Sequence, residues 1–214
     1  MPVPALLRSV GTAERDAITA CLRPQRFARG QTVFNDGDRG DCLYLVQSGR
    51  LDVQVSTPSG QLVTLRVIHP GELFGELALV HPDNRRTGRV TALEDTEVSA
   101  LFRRDFEALR STIPSVDRFL VAALAERVVR TSELAVEMLL PPETRIWRRL
   151  AVLADAYGAA PIALSQEALG HVAGTVRQTA NRVLQAGVRD GIIRLGRGTI
   201  VVLDRGAVDD RARG

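Results

Sequence analysis

The chain has 214 residues, 45% of them hydrophobic, and a formal net charge of +3. That is enough for one large domain or two ordinary ones around a real core. It holds no apolar run of about 18 residues and no cationic-then-apolar leader, so the reading excludes a membrane partner and expects a soluble, cytoplasmic protein.

Only Cys21 and Cys42 occur, without a C-x-x-C pair. They read as two reduced thiols in or near a core, since a cysteine-held metal or iron–sulfur site needs more of them. All 28 basic residues are arginine. Residues 1–142 carry 17 arginines against 18 acids, net −1, whereas residues 143–214 carry 11 against 7, net +4. The basic excess lies at the C-terminal end, which by itself is weak evidence for nucleic acid.

In chain order, "TAERDAITACL" predicts a short helix with Thr12 as its N-cap. From Arg26 to Phe102 short apolar alternations such as "CLYLV", "RLDVQVS" and "TEVSALF" are cut by "NDGDRGD", "TPSG" and "HPGE". Such punctuation predicts an all-β barrel or sandwich. Ser115 to Leu140 contains no Gly or Pro, and Val121, Leu124, Val128, Thr131, Ala135 and Met138 recur at spacings of 3 and 4. This is a coiled-coil seam on one long helix, and it calls for a partner, most simply a second copy in a parallel homodimer.

"PPE" at 141–143 breaks that helix, and Pro142 and Glu143 can open another. A helical stretch follows to Gly158, with Trp147 assigned to the core of a small domain. Ser165 then caps a helix carrying Leu169 and Val172 on one face, with His171 on its exposed side, and Gly174 falls where a tight turn is needed. The next helix turns Thr179, Ala180 and Val183 inward and leaves Arg177, Gln178, Asn181 and Arg182 outside. These side-chain types read base edges, Arg toward guanine and Gln or Asn toward adenine. "IIRLGRGTIVVL" adds a hairpin with Arg194 and Arg197, giving a winged helix-turn-helix.

Residues 74–88, "FGELALVHPDNRRTG", hold Glu76 and, ten residues later, Arg86 and Thr87. A phosphate needs a cation, hydroxyls and backbone N–H groups, a ribose hydroxyl needs an acceptor, and Gly75 allows close backbone approach. The spacing admits an anionic, hydroxyl-rich ligand, and equally a plain Glu–Arg staple across the loop. No nucleophile–base pair, metal cluster or Walker loop occurs, so an enzyme is the poorest reading.

"FGELAL" followed by Arg86-Thr87 resembles the phosphate-binding cassette of cyclic-nucleotide-binding domains. With the long helix and winged helix-turn-helix in the same order, residues 10 to 203 resemble the cyclic AMP receptor branch of the CRP/FNR transcription regulators. The resemblance implies an α+β chain: a β-roll (jelly-roll) cyclic-nucleotide-binding domain over 1–113, a dimerisation helix over 114–140 and a DNA-binding domain over 141–214. It implies cyclic AMP as allosteric effector, and the two cysteines and lack of axial ligands lead to the expectation of no metal, iron–sulfur cluster or haem. His69 and His81, the candidate axial ligands, sit beside prolines and read as exposed.

Carried over by residue, the resemblance implies that Glu76 accepts from the ribose 2′-hydroxyl and that Arg86 and Thr87 hold the cyclic phosphate. Gly75, Leu77 and Gly88 complete the cradle, with Gly88 and the usual alanine interchangeable because the backbone amide binds. Thr131 and Ser132 match the positions that reach the adenine across the dimer. In the C-terminal domain, Arg177, Gln178 and Arg182 match the reading positions, with Thr175, Asn181 and Arg197 alongside. Gln178 stands where this branch has glutamate, which moves preference from cytosine toward adenine. Val176 stands where a serine or threonine starts the recognition helix, and Thr175 is the candidate substitute cap. Palindromic DNA and RNA polymerase are the implied partners, although "AYGAAPI" is short for the polymerase-contacting loop. Rival readings are another effector, constitutive DNA binding, and a cyclic-nucleotide module acting on a protein.

Overall fold

The computed structural model describes residues 11–56, 60 and 62–214, apart from the side chains of Phe119 and Glu126. The chain divides into two compact units: the first runs to residue 60 and resumes over 66–131, and the second takes 62–65 together with 132–214.

The first unit opens with helix α1, Thr12–Cys21. Its N-cap is Gly11, and no side chain caps it, so Thr12 is the first helical residue and not the cap expected of it. Strands β1 (Arg23–Phe27), β2 (Thr32–Phe34), β3 (Cys42–Ser48), β4 (Leu51–Ser56), β5 (Leu62–Ile68) and β6 (Leu73–Phe74) follow. A four-residue helix α2 (Leu77–Val80), strands β7 (Arg89–Ala92) and β8 (Thr96–Phe102), then helices α3 (Arg103–Thr112) and α4 (Ser115–Glu137) complete the order. One sheet has the order β1-β8-β3-β6 and the other β2-β7-β4-β5.

Period-2 alternation assigns the two faces of the first sheet. Cys42, Tyr44 and Val46 of β3, with Val98 and Ala100 of β8, join Leu51, Ile68, Phe74 and Val90 in one core. The alternate residues Leu43 and Leu101 turn outward to a second core with Ile18, Phe106, Leu109, Val116 and Leu120 of the helices. Cys42 is buried, Cys21 half-buried, and both are free thiols.

Helix α4 has 23 residues, not the 26 expected, and spans about 34 Å. Leu140 precedes Pro141, and a residue before proline is pushed out of the α region. The chain therefore tightens: Leu139 N–H donates to the Val136 carbonyl at 3.0 Å and Leu140 N–H to the Glu137 carbonyl at 2.9 Å. Leu124 packs against the helix-side core. The seam residues Val121 and Val128 face outward, 64% and 65% exposed, with Val129 and Val136 also exposed.

The second unit holds α5 (Pro142–Tyr157), α6 (Gln166–Val172), α7 (Arg177–Arg189), hairpin strands β9 (Ile193–Gly196) and β10 (Thr199–Val202), and α8 (Arg205–Arg213). Trp147 is fully buried with Ile146, Leu150, Leu169 and Leu184. Helix α8 was not anticipated. Asp204 caps it by accepting from Ala207 N–H at 2.9 Å, Val208 is buried, and Arg211 lies 5.2 Å over the Trp147 ring. Among the described residues, no helix is long and apolar enough to cross a membrane.

Candidate ligand pocket and nucleic-acid interface

β6 is followed by Gly75 with φ +77°, a left-handed conformation that glycine adopts without strain. A Cβ there would stand 2.4 Å from Arg86 Nη1, and one at Gly40 would stand 2.8 Å from Arg86 Nε. The missing side chains thus make room for the Arg86 guanidinium, which is buried. Its Nη1 donates to the Cys42 and Gly75 carbonyls, both at 2.8 Å, and its plane lies 4.3 Å from the Phe34 ring centroid.

Glu76 is the N-cap residue of α2 and is only 4% exposed. Its Oε1 accepts from Arg127 Nη1 of α4 at 2.5 Å, and no Glu76–Arg86 ion pair occurs among the described residues. The loop-staple alternative therefore fails: the acid is tied to the helix, and the base to main-chain carbonyls. Glu76 Oε2 and Arg86 Nε are buried without a hydrogen-bond partner. Such atoms are costly unless something else meets them.

Arg86 lines a pocket with Gly75, Leu77, Thr87, Gly88 and Arg127 over an apolar floor that includes Phe34, Val53 and Val90, and Glu76 lies behind its lining residues Gly75 and Leu77. Thr87 is exposed and Gly88 buried. A Cβ on Gly88 would meet the Gln54 carbonyl at 2.8 Å, so glycine and alanine are not interchangeable here, contrary to the expectation. Arg103 fixes the cassette from behind: Nη2 donates to the Ala78 carbonyl at 2.5 Å and to Asn84 Oδ1 at 2.7 Å, and Nη1 to the Leu79 carbonyl at 2.9 Å. Arg85 is exposed and donates to the Gly37 carbonyl at 2.8 Å.

Thr131 is exposed, and its Oγ1 donates to the Arg127 carbonyl of its own helix at 2.8 Å. Ser132 is exposed as well. Sequence reasoning missed Arg127, although its position four residues before Thr131 puts both on one helical face. His81 is exposed, but His69 is half-buried and its Nδ1 lacks a partner, correcting the expectation for that residue. Burial pushes the His69 imidazole below its usual pKa. Among the described residues, no group of three His, Cys, Asp or Glu is placed to hold a metal ion.

In the second unit Ser165 Oγ accepts from Ala168 N–H at 3.0 Å, capping α6 as expected. Gly174 turns the chain at φ +62°. Helix α7 buries Ala180, Val183 and Leu184 and exposes Arg177, Gln178, Asn181 and Arg182. Its N-cap is Val176, without a side-chain bond, so Thr175 does not replace the cap. Instead Thr175 N–H donates to the Gly170 carbonyl at 2.8 Å. The helix N-terminus is left without a side-chain acceptor and favours an anion. Asn181 Nδ2 donates to Gln166 Oε1 at 2.9 Å, and Arg177 lies 3.9 Å from Glu167. Arg194 and Arg197 of the wing are exposed, and His171 is half-buried.

The comparisons with known proteins agree with both halves. Residues 24–112 match the cyclic nucleotide-binding domain family, and residues 144–211 match the Crp-like helix-turn-helix domain. The cyclic AMP receptor protein of Thermus thermophilus is 35% identical over 213 residues, covering 98% of this chain and 97% of that protein. The chain belongs to the CRP/FNR family of transcription regulators. A CRP-like cAMP-activated global transcriptional regulator of Mycobacterium tuberculosis is 31% identical, covering 92% of this chain and 91% of that one. The crystal structure of the Thermus thermophilus catabolite activator protein is similar over 98% of each chain, with 34% identity and a TM-score of 0.56.

As a CRP/FNR regulator the chain is a cyclic-nucleotide-binding, DNA-binding protein and not an enzyme. Its helix-turn-helix is the DNA-binding element.

Proposed function

We propose that the chain acts as a homodimer whose effector is cyclic AMP. The observation that carries this reading is a pocket lined by Gly75, Arg86, Thr87 and Gly88, with Arg86 Nε buried and unpartnered. Glu76 would accept from the ribose 2′-hydroxyl, while Arg86 Nε and Thr87 take the cyclic phosphate, with Gly75, Leu77 and Gly88 as the cradle. The two relatives whose printed names include cyclic AMP support that choice of nucleotide.

The outward row of Val121 and Val128 supports a helix-to-helix dimer in which Thr131 and Ser132 meet the adenine edge. The functional regions are then the nucleotide-binding part over 1–113, the dimerisation helix over 114–140 and the DNA-binding part over 141–214. Arg145 supplies a coupling within the C-terminal unit: its Nη1 donates to the Met138 carbonyl at 2.7 Å and its Nη2 to the Gly174 carbonyl at 3.0 Å. A shift at the end of α4 would thereby reach the turn of the DNA-reading motif. Recognition helices of a dimer would enter successive major grooves about 34 Å apart on palindromic DNA. A full switch needs an effector preference of about 5.5 kcal/mol for the active form. RNA polymerase is the partner through which the bound dimer would act.

Titration calorimetry with cyclic AMP tests the reading directly. Saturable heat at one site per chain is expected; absence of heat together with an unchanged thermal midpoint at millimolar nucleotide would sink it. For the DNA half, Arg177→Ala is expected to weaken specific duplex binding by about 5- to 150-fold, the worth of one bidentate arginine–guanine contact. Gel retardation at fixed salt checks this, and an undiminished specific shift would remove Arg177 from the readers.

A further inference from the structure

Helices α6 and α7 approach closely because small residues face each other between them. A Cβ on Gly170 of α6 would stand 2.9 Å from the Ala180 methyl of α7. Gln166 lies four residues before Gly170, on the same face of α6. Asn181 follows Ala180 and is exposed where α7 leaves the core, whereas Gln166 is half-buried. At that separation two short amide side chains reach each other: Asn181 Nδ2 donates to Gln166 Oε1 at 2.9 Å. Asn181 also stands four residues after Arg177, so the two share the outward face of α7.

An asparagine amide carries two donor hydrogens and one acceptor oxygen. With one Nδ2 hydrogen given to Gln166, Asn181 keeps one donor and one acceptor, and its side chain is held in one orientation. Adenine presents the N6 donor beside the N7 acceptor, which that remaining pair complements; guanine presents two acceptors, N7 and O6, which it does not. An untethered asparagine could turn both hydrogens toward guanine. Fixing the side chain before DNA arrives also reduces the freedom lost on binding. Another polar link between the helices, Arg177 to Glu167 at 3.9 Å, joins exposed side chains and fixes little.

We propose that Gln166 is a positioning residue for DNA sequence recognition: by accepting one Asn181 hydrogen it commits Asn181 to adenine, and against guanine, at one base pair of each half-site. The proposal rests on the reading of α7 as the helix that enters the major groove.

Selection from duplexes with about 20 randomised base pairs, roughly two turns of DNA, by the full-length protein with and without millimolar cyclic AMP gives the preferred site. Gel retardation on that duplex and on its single adenine-to-guanine variants then compares wild type with Asn181→Ala, Gln166→Ala and Gln166→Glu. Asn181→Ala is expected to abolish an adenine preference at one position per half-site, and Gln166→Ala to lower the adenine-to-guanine ratio there by about fivefold or more. Gln166→Glu keeps the acceptor and is expected to restore the ratio, at a lower affinity for all duplexes because of its charge. A Gln166 that merely supports the fold or touches a phosphate would weaken every duplex by the same factor when replaced by alanine. That result, or unchanged base preferences in Asn181→Ala, overturns the inference and leaves DNA reading by α7 standing. Enrichment of no sequence by wild type, with or without nucleotide, overturns both.

Discussion

Arg86→Ala is expected to reduce cyclic AMP affinity by at least about a hundredfold. Hydrogen bonds to charged groups contribute about 1.5–3 kcal/mol each, and the guanidinium is placed to give the phosphate more than one. The substitution also acts on the fold, because the Cys42 and Gly75 carbonyls both accept from Arg86 Nη1 at 2.8 Å. Buried acceptors left alone cost about 1–3 kcal/mol each, so a lower unfolding midpoint accompanies the lost binding. Calorimetry on protein that still unfolds cooperatively separates the two effects. Retained micromolar affinity in such a sample would show that the phosphate is held elsewhere. Arg86→Lys is a useful companion, since a point charge cannot span both carbonyls and a phosphate as a planar fork does.

Trp147→Ala should destabilise the C-terminal unit by about 3–5 kcal/mol, the usual range for emptying a buried aromatic site. The residue is fully buried, and a Cβ on Gly187 would come within 2.5 Å of its ring, so the helix α7 backbone packs directly on the indole. Arg211 covers the ring, tying α8 to the same point. Chemical denaturation reads the loss, with DNA binding falling in parallel. Nucleotide affinity should survive, because the pocket residues lie in the other unit. A change under about 1 kcal/mol would mean that the site collapses around the smaller side chain.

The elements were largely legible in the sequence because each rests on a local period or a single stereochemical demand. Alternation in "CLYLV" sorts Leu43 from Cys42 and Tyr44 onto opposite faces, and both cores follow from it. Ser165 caps α6 and Gly174 turns at positive φ, as their residue types require. Helix α8 was missed although Asp204 offered a cap, because nine residues rich in charge carry little apolar period. The end of α4 was placed three residues late by following the seam and underweighting the restriction that Pro141 imposes on Leu140.

Pairings between distant segments were a different matter. The sequence by itself determined the residue types, an acid at Glu76 and a base at Arg86 around a glycine-bearing turn, and left open whether they pair with each other or face a ligand. Only the tertiary structure decided that Glu76 is paired by Arg127, 51 residues away on α4, and that Arg86 is held by main-chain carbonyls. It also decided that Arg66 of β5 and Arg127 of α4 line the pocket that Arg86 lines. The physical reason is range: periodicity and capping act within a few residues of chain, whereas the partner of a buried charge depends on which segments the packed core brings alongside it.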